Sequence, residues 1–171
     1  MFKLLFFSVL IILFSCSEEL EKEKDVVWNQ KKSTELNKNL SMEEEINIDL
    51  FLEEHKDWKI EKTGSGLRYW IYERGKGARA TSSKTAEVEL IVSLMDGKEC
   101  YRTDADEVDV FEIDRADIES GIHEGIKFMS VGDRAKLIIP SHLAHGLVGD
   151  LDKVPPLSTL VVDIHLIGLG E

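Results

Sequence analysis

Cysteine is scarce in this 171-residue chain, which contains only Cys16 and Cys100. Two cysteines do not form the multi-bridge framework that holds many small secreted domains together. If Cys16 is used elsewhere, Cys100 has no intramolecular partner, and the domain must be held together by its core. The composition, with 43% hydrophobic and 32% charged residues, is that of a folded soluble domain and excludes a multispanning membrane protein.

Basic residues are also in deficit, with 21 Lys and Arg against 33 Asp and Glu, for a net charge of −12. Proteins bind nucleic acid by neutralising phosphates with Lys and Arg. The charge balance therefore excludes nucleic acid as the expected partner.

The apolar run over residues 4–14 follows the single charge of Lys3 and is too short to span a bilayer. Its length and flanks are those of an export signal, so residues 1–15 are predicted to be a removable signal peptide. The segment Leu13-Phe14-Ser15-Cys16 resembles the lipobox of bacterial lipoproteins. An ordinary secretory signal with an incidental cysteine, or an N-terminal anchor helix, is the alternative.

The lipobox resemblance implies that Cys16 is lipidated on its thiol and acylated, here with palmitate, on its new amino terminus. Several acyl chains give the stable anchoring that one chain cannot. The implied location is the bacterial cell envelope, with the protein anchored in the outer membrane and facing the periplasm or the cell surface. Ser17-Glu18-Glu19 resembles a surface-export signal of Bacteroidetes lipoproteins, and a solvated start of the tether is the alternative.

The polar composition of residues 16–41 predicts a lipidated tether. Ser41-Met42-Glu43-Glu44 has the form of a capping box, and apolar residues recur behind it at helical spacing, so a helix is predicted over residues 42–55. A linker completes the segment 42–65, and the main domain covers residues 66–171. The predicted helix is short for a dimerisation stalk, which favours a monomer.

The main domain contains one segment of helical spacing and several strand-like segments, which indicates an α+β fold. Gly121 and Gly125 lie four residues apart within a segment of helical spacing, residues 118–129, which indicates close packing of that helix against a sheet. The strand-like segments predict an antiparallel meander interrupted once by this helix. These segments are 67–72, 86–94, 98–103, 110–113, 134–139 and 158–166.

Several separated blocks in the main domain resemble the FKBP-type peptidyl-prolyl isomerase family in order and spacing, over residues 66–169. They are Leu94-x-Asp96-Gly97, Gly121-x-x-x-Gly125-x-x-x-Met129-x-x-Gly132-x-x-Ala135-x-Leu137-x-Ile139-Pro140, Leu143-Ala144-His145-Gly146, and Val154-Pro155-Pro156-x-Ser158-Thr159-Leu160-Val161-Val162-Asp163-Ile164-x-Leu166. The resemblance implies a curved antiparallel sheet wrapped around one short helix, with a ligand cleft between them. The acidic tether, the lipobox and Cys100-Tyr101 more narrowly resemble gliding-motility-associated FKBP-like lipoproteins of Bacteroidetes.

The activity that the resemblance implies is rotation about X-Pro peptide bonds, which makes and breaks no covalent bond. No nucleophile, metal or cofactor is expected. The histidines His123, His142, His145 and His165 lack the compact spacing of a metal site, and Cys100 is expected to be a small buried residue.

The resemblance implies catalytic roles for His145, in place of a loop tyrosine, and for Tyr101, in place of a rim aspartate. It implies substrate binding by Leu90, Cys100, Ile118, Glu119, Ile122, Val154 and Val162. Several of these residues replace aromatic residues of the family, so the pocket has lost aromatic character, and weak activity or altered ligand choice follows.

Two functions are consistent with these residues. The first is a membrane-tethered FKBP-type isomerase that assists the folding or assembly of proline-containing envelope or secreted proteins. The second is an FKBP-like binding or assembly module with little or no turnover, such as part of a motility or secretion machine.

Overall fold

The computed structural model describes residues 29–115 and 118–170. The predicted signal peptide, Cys16 and the first part of the predicted tether lie outside the described residues. Within the described part, no helix is both long and apolar enough to cross a bilayer.

The N-terminal helix α1 spans Gln30–Glu54 and is longer than the sequence predicts. Its N-cap is Asn29, whose side chain accepts a hydrogen bond from the backbone N–H of Lys32 at 3.0 Å. Ser41 lies exposed in the middle of the helix, so the predicted start at a Ser41 capping box is wrong. Residues 30–40 are mostly good helix formers, and a nucleated helix propagates through such residues without needing a second cap.

Seven strands form one antiparallel sheet, which confirms the predicted α+β class with a curved sheet around a short helix. The strands are β1 Glu61–Lys62, β2 Arg68–Glu73, β3 Thr85–Leu94, β4 Glu99–Arg102, β5 Asp109–Glu112, β6 Arg134–Ile139 and β7 Leu160–Gly170. Their order in the sheet is β1-β2-β6-β7-β3-β4, with β5 pairing to β3. The prediction of a simple meander is wrong, because β7 inserts between β3 and β6 rather than following its neighbour in sequence.

The second helix, α2, spans Ser120–Ile126 and packs directly on β6, as the glycine spacing predicts. A Cβ atom added at Gly121 would lie 2.2 Å from Cγ2 of Ile139, and one added at Gly125 would lie 2.6 Å from Cδ1 of Leu137. Two bare glycine backbones therefore let the helix approach the sheet more closely than any other residue would allow.

The core between the sheet and α2 is aliphatic, and Cys100 is its buried free thiol. Fully buried side chains of this kind each contribute about 1.5–3 kcal/mol through removal from water. Its largest members with no measurable exposure include Ile126, Met129, Leu137, Ile164 and Leu166.

Helix α1 covers the opposite face of the sheet. Ile138 is fully buried, yet strand alternation directs it away from the core that receives Leu137 and Ile139. Arg68, the register partner of Ile138 on β2, donates hydrogen bonds to Glu45 at 2.7 Å and Asp49 at 3.1 Å in α1.

Ile48, which lies between these two carboxylates in sequence, is the buried residue of α1 and lies outside the central core cluster. Together with the bonds from Arg68, this burial attaches the C-terminal half of α1 to the domain. That half is therefore a packed element of the fold rather than part of a free tether.

Replacing Gly121 by Ala is expected to destabilise the domain by about 1–3 kcal/mol, because the added methyl must displace Ile139 in a close-packed core. The measurement is equilibrium unfolding in urea. The matched control is Gly64→Ala, since a Cβ atom there meets nothing within 4 Å. Equal stability of Gly121→Ala and Gly64→Ala would contradict the close approach of α2 to β6.

Candidate functional site

Three of the predicted site residues, Glu119, Tyr101 and Cys100, contact one loop, residues 144–157, which we call the cleft loop. It follows a short 3-10 turn at Ser141–Leu143 and leads into β7. One end of the cleft loop lies beside the start of α2, and its middle lies beside β4. The loop thus spans the gap between the helix and the sheet.

On the α2 side, His145 lies against Glu119. The ring Nε2 is 2.8 Å from Oε1 of Glu119, with the two side chains 24% and 19% exposed. This distance is that of an ion pair when the ring is protonated, although the contact does not have the geometry of a hydrogen bond. Ile118, next to Glu119, is partly buried and packs against the core cluster.

On the β4 side, the hydroxyl of Tyr101 donates a hydrogen bond to the carboxylate of Asp150. Oδ1 of Asp150 also accepts the backbone N–H groups of Asp152 at 2.9 Å and Val154 at 2.7 Å, which closes a tight turn. Gly149 begins this turn at φ +72°, and a Cβ atom there would lie 2.2 Å from the carbonyl oxygen of Val154.

These bonds separate the acidities of the two side chains. The hydrogen bond to Asp150 raises the pKa of Tyr101 to about 12. Burial acts to raise the pKa of Asp150, but hydrogen bonds from Tyr101 and from backbone N–H groups outweigh it and hold that pKa below its ordinary value. Asp150 therefore stays ionised, and Tyr101 stays protonated, throughout the neutral pH range.

Lys153 completes this part of the site. Its Nζ lies 4.6 Å from the centroid of the Tyr101 ring, within the range of a cation–π contact. Its carbonyl oxygen lies 3.6 Å from Sγ of Cys100. Burial raises the pKa of the Cys100 thiol, so Cys100 is a packing residue here and not an activated nucleophile.

The apolar residues of the predicted site belong to the hydrophobic core or pack against it. Val162 has no exposed surface, and Ile122, Val154 and Cys100 are at most 4% exposed. Leu90 shares the core-facing side of β3 with Val88 and Val92 and is partly buried against the same cluster. Contact between the predicted binding residues and a substrate stays a prediction.

Sequence reasoning missed Asp150 and Lys153. Asp150 is the acceptor that holds Tyr101, and the Gly149-Asp150 pair before Pro155 is a turn signal from which an Asx turn could have been predicted. Lys153 had no comparable signal, because its contacts are with β4, about fifty residues away in sequence.

The histidines of the described residues serve as hydrogen-bonding or ion-pairing side chains. His142 Nε2 lies 2.9 Å from the carbonyl oxygen of Ser65, and His165 Nδ1 lies 3.2 Å from the carboxylate of Glu89. No group of three His, Cys, Asp or Glu side chains suited to a metal ion occurs in the described part of the chain.

Solved structures share this architecture. The crystal structure of FkpA from Escherichia coli superposes with a TM-score of 0.67 at 30% identity, covering 81% of this chain and 64% of that one. A peptidyl-prolyl cis-trans isomerase from Pseudomonas syringae pv. tomato superposes with a TM-score of 0.63 at 25% identity, covering 72% and 90%.

Curated relatives are similar over most of this chain. The FKBP-type peptidyl-prolyl cis-trans isomerase FkpA of Escherichia coli K12 is 31% identical over 88% of this chain and 50% of its own length. The outer membrane protein MIP of Legionella longbeachae is 31% identical over 87% of this chain and 63% of its own length. The chain thus spans about half the length of the FkpA protein.

Replacing Tyr101 by Phe is expected to raise the pKa of Asp150 toward its ordinary value, because one of the bonds that lowers it is lost. Since the folded-state pKa of Asp150 is depressed, the wild-type advantage in stability is present at neutral pH. It shrinks as the pH falls below about 4. The measurements are a carboxyl NMR titration and urea unfolding at pH 7 and pH 3.

The matched control is Tyr72→Phe, which removes a similar hydrogen bond to Asp163 on the outer face of the sheet. An unchanged pKa of Asp150 in Tyr101→Phe would show that the Tyr101 hydroxyl does not hold this carboxylate.

A family model described as FKBP-type peptidyl-prolyl cis-trans isomerase matches residues 76–167. That range includes α2, β4, the cleft loop and all the predicted catalytic and substrate-binding residues of the domain. It is also more than half of the chain. The chain belongs to the FKBP-type peptidyl-prolyl cis-trans isomerase family.

Proposed function

We propose that this protein is a membrane-tethered peptidyl-prolyl cis-trans isomerase that assists the folding or assembly of envelope or secreted proteins. The observation that carries the proposal is the cleft loop, fixed against both α2 and β4 with His145 at one end. This arrangement places a polar ring and a partly buried apolar residue, Ile118, beside the start of the helix.

Rotation of an X-Pro bond needs no reacting group. The barrier of about 18–20 kcal/mol comes from amide resonance, which is lost as the bond twists. A site lowers this barrier when it binds the twisted amide more tightly than the planar forms. An apolar surface that withdraws the amide from water, with a donor for its carbonyl oxygen, is sufficient.

His145 and Tyr101 have different roles in this proposal. The Tyr101 hydroxyl already donates to Asp150, so Tyr101 acts as a rim residue that holds the loop turn. The Nε2 atom of His145 is buried against Oε1 of Glu119 at 2.8 Å without a hydrogen bond, so in this proposal the ring turns away from Glu119 to donate to a substrate carbonyl. His145 is therefore the proposed donor, and the backbone N–H of Glu119 is a second one.

The burial of four predicted binding residues supports a second function, a binding or assembly module with little turnover. Val162, Ile122, Val154 and Cys100 expose almost no surface to an entering proline ring. A substrate must then bind to the partly exposed residues alone, or these four buried side chains must move to admit it. The activity assay below separates the two functions.

The membrane tether and its place in the envelope are part of the proposal and depend on Cys16 and the lipobox-like Leu13-Phe14-Ser15. One relative, from Legionella longbeachae, is named an outer membrane protein. The same lipobox and the acidic residues after Cys16 support a Bacteroidetes-type envelope lipoprotein, of the kind associated with gliding motility. Proline-containing polypeptides are the proposed clients. A monomer is the proposed state, although α1 is longer than the predicted helix on which that expectation was based.

The full-length chain in mild detergent is expected to accelerate cis-trans isomerisation in a protease-coupled assay on short proline peptides that vary the residue before proline. The uncatalysed reaction takes tens to hundreds of seconds, which makes modest acceleration measurable. A rate no higher than the uncatalysed one across the whole peptide panel would overturn the enzyme proposal and favour the binding module.

In the same assay, His145→Phe is expected to lower kcat/KM by about tenfold, the effect of losing one hydrogen bond to the twisted amide. The matched control is His165→Phe, which makes the same change beside Glu89 on the outer face of the sheet. If both variants keep wild-type activity, His145 does not belong to the site.

Replacing Cys16 by Ala is expected to abolish incorporation of labelled palmitate and to release the protein from the membrane fraction, because the acylated residue is lost. Cys100→Ala is the matched control, since Cys100 is the other cysteine of the chain and is buried. Equal labelling of wild type and Cys16→Ala would exclude this anchor.

A further inference from the structure

The carboxylate of Glu44, in the N-terminal helix α1, binds the residues that flank the cleft loop, Ser141 before it and Thr159 after it. Its Oε1 accepts hydrogen bonds from the backbone N–H of Ser141 at 2.6 Å and from the hydroxyl of Thr159 at 2.7 Å. Its Oε2 accepts the hydroxyl of Ser141 at 2.9 Å. Bonds to a charged acceptor are stronger than neutral ones, and both partners here are only 4% exposed.

Ser141 is hydrogen-bonded to both sequence neighbours of His145. Its carbonyl oxygen accepts the N–H groups of Ala144 at 3.0 Å and Gly146 at 2.8 Å, the residues on either side of His145. The carbonyl oxygen of Gly146 in turn accepts the N–H of Leu157 near the far end of the loop. A displacement of Ser141 therefore moves the backbone that carries the His145 ring.

Attachment of α1 to the domain does not depend on Glu44. Arg68 binds Glu45 and Asp49, and Ile48 is buried beside them, so the helix is held at positions that make no contact with the loop. Glu44 alone among these α1 residues directs its bonds to Ser141 and Thr159. Its removal therefore frees the loop and leaves the helix in place.

We propose that Glu44 is a positioning residue of the site, which acts through Ser141 to hold the cleft loop and thereby sets the position of His145. This inference depends on the proposed isomerase function for its effect on turnover. The contact itself is independent of that function. It gives the N-terminal helix a role in the site beyond linking the domain to its tether.

The hydrogen-bond pattern predicts which substitution Glu44 tolerates. A glutamine carbonyl can accept both Ser141 N–H and the Thr159 hydroxyl, while its NH2 group donates to the Ser141 hydroxyl oxygen. Glu44→Gln thus keeps every contact and removes only the charge. Glu44→Ala removes all of them, and it leaves the Ser141 N–H buried without an acceptor.

The test compares Glu44→Ala, Glu44→Gln and Glu43→Ala in the full-length chain, with kcat and KM measured on a proline peptide. Glu43 is the exposed neighbour in the same helix, so Glu43→Ala matches the changes in charge and helix propensity. Glu44→Ala is expected to lower kcat/KM about tenfold, as His145→Phe does, because a displaced donor no longer stabilises the twisted amide. Glu44→Gln and Glu43→Ala are expected to match wild type.

A merely structural role for Glu44 would give a different result. Loss of folded molecules lowers the apparent kcat only in proportion to the unfolded fraction, so a loss of activity in Glu44→Ala that the unfolded fraction measured in urea fully accounts for would overturn the proposal. If Glu44→Ala does not fold, Ser141→Ala provides the test, since it removes the hydroxyl bond and keeps the N–H bond. A decrease in kcat/KM of about threefold is then expected, and an unchanged kcat/KM would overturn the proposal.

Hydrogen exchange at the Ala144 and Gly146 amides provides a readout that needs no enzyme activity. Glu44→Ala is expected to exchange faster at these two amides than Glu43→Ala, with similar exchange in the strands. Unchanged protection would overturn the positioning role. An inactive wild-type protein with faster exchange in Glu44→Ala would instead refute the isomerase proposal and leave the contact between α1 and the loop intact.

Discussion

The pairing of β7 with two neighbours is the constraint on which the rest of this structure depends. β7 pairs with β3 along one side and with β6 along the other, so the C-terminal strand joins the two halves of the sheet. The register places Ile139 opposite Leu160, which fixes the two ends of the intervening segment on adjacent strands. The cleft loop is therefore anchored at a defined point, and its short turns determine where His145 and Asp150 lie.

Carboxylates act in this protein as acceptors for the backbone of its loops. Asp133, only 1% exposed, accepts the N–H groups of Gly75 at 2.6 Å and Ser130 at 2.9 Å. Asp150 does the same within the cleft loop, and Glu44 does so at Ser141, just before the loop. The acidic composition thus includes residues with a defined structural task.

Local patterns in the sequence predicted the strand segments and the packing of α2 well. Residues 134–139 match β6 in full, and the spacing of Gly121 and Gly125 correctly indicated a helix pressed against the sheet. The start of α1 was wrong because Ser41 satisfies a local capping pattern inside a helix that Asn29 had already nucleated. The predicted meander was wrong because no local sequence pattern determines which strands pair with β7.

The sequence by itself determined the family and the aliphatic and polar positions of the domain, and it predicted the residues of the site. These follow from side-chain periodicity and from the spacing of motifs, which are local properties. Only the tertiary structure decided that Tyr101 is held by Asp150 and that Glu44 reaches Ser141, 97 residues away in sequence. Contacts of that separation arise from how the strands and α1 pack, since each partner alone is an ordinary polar residue whose environment the fold creates.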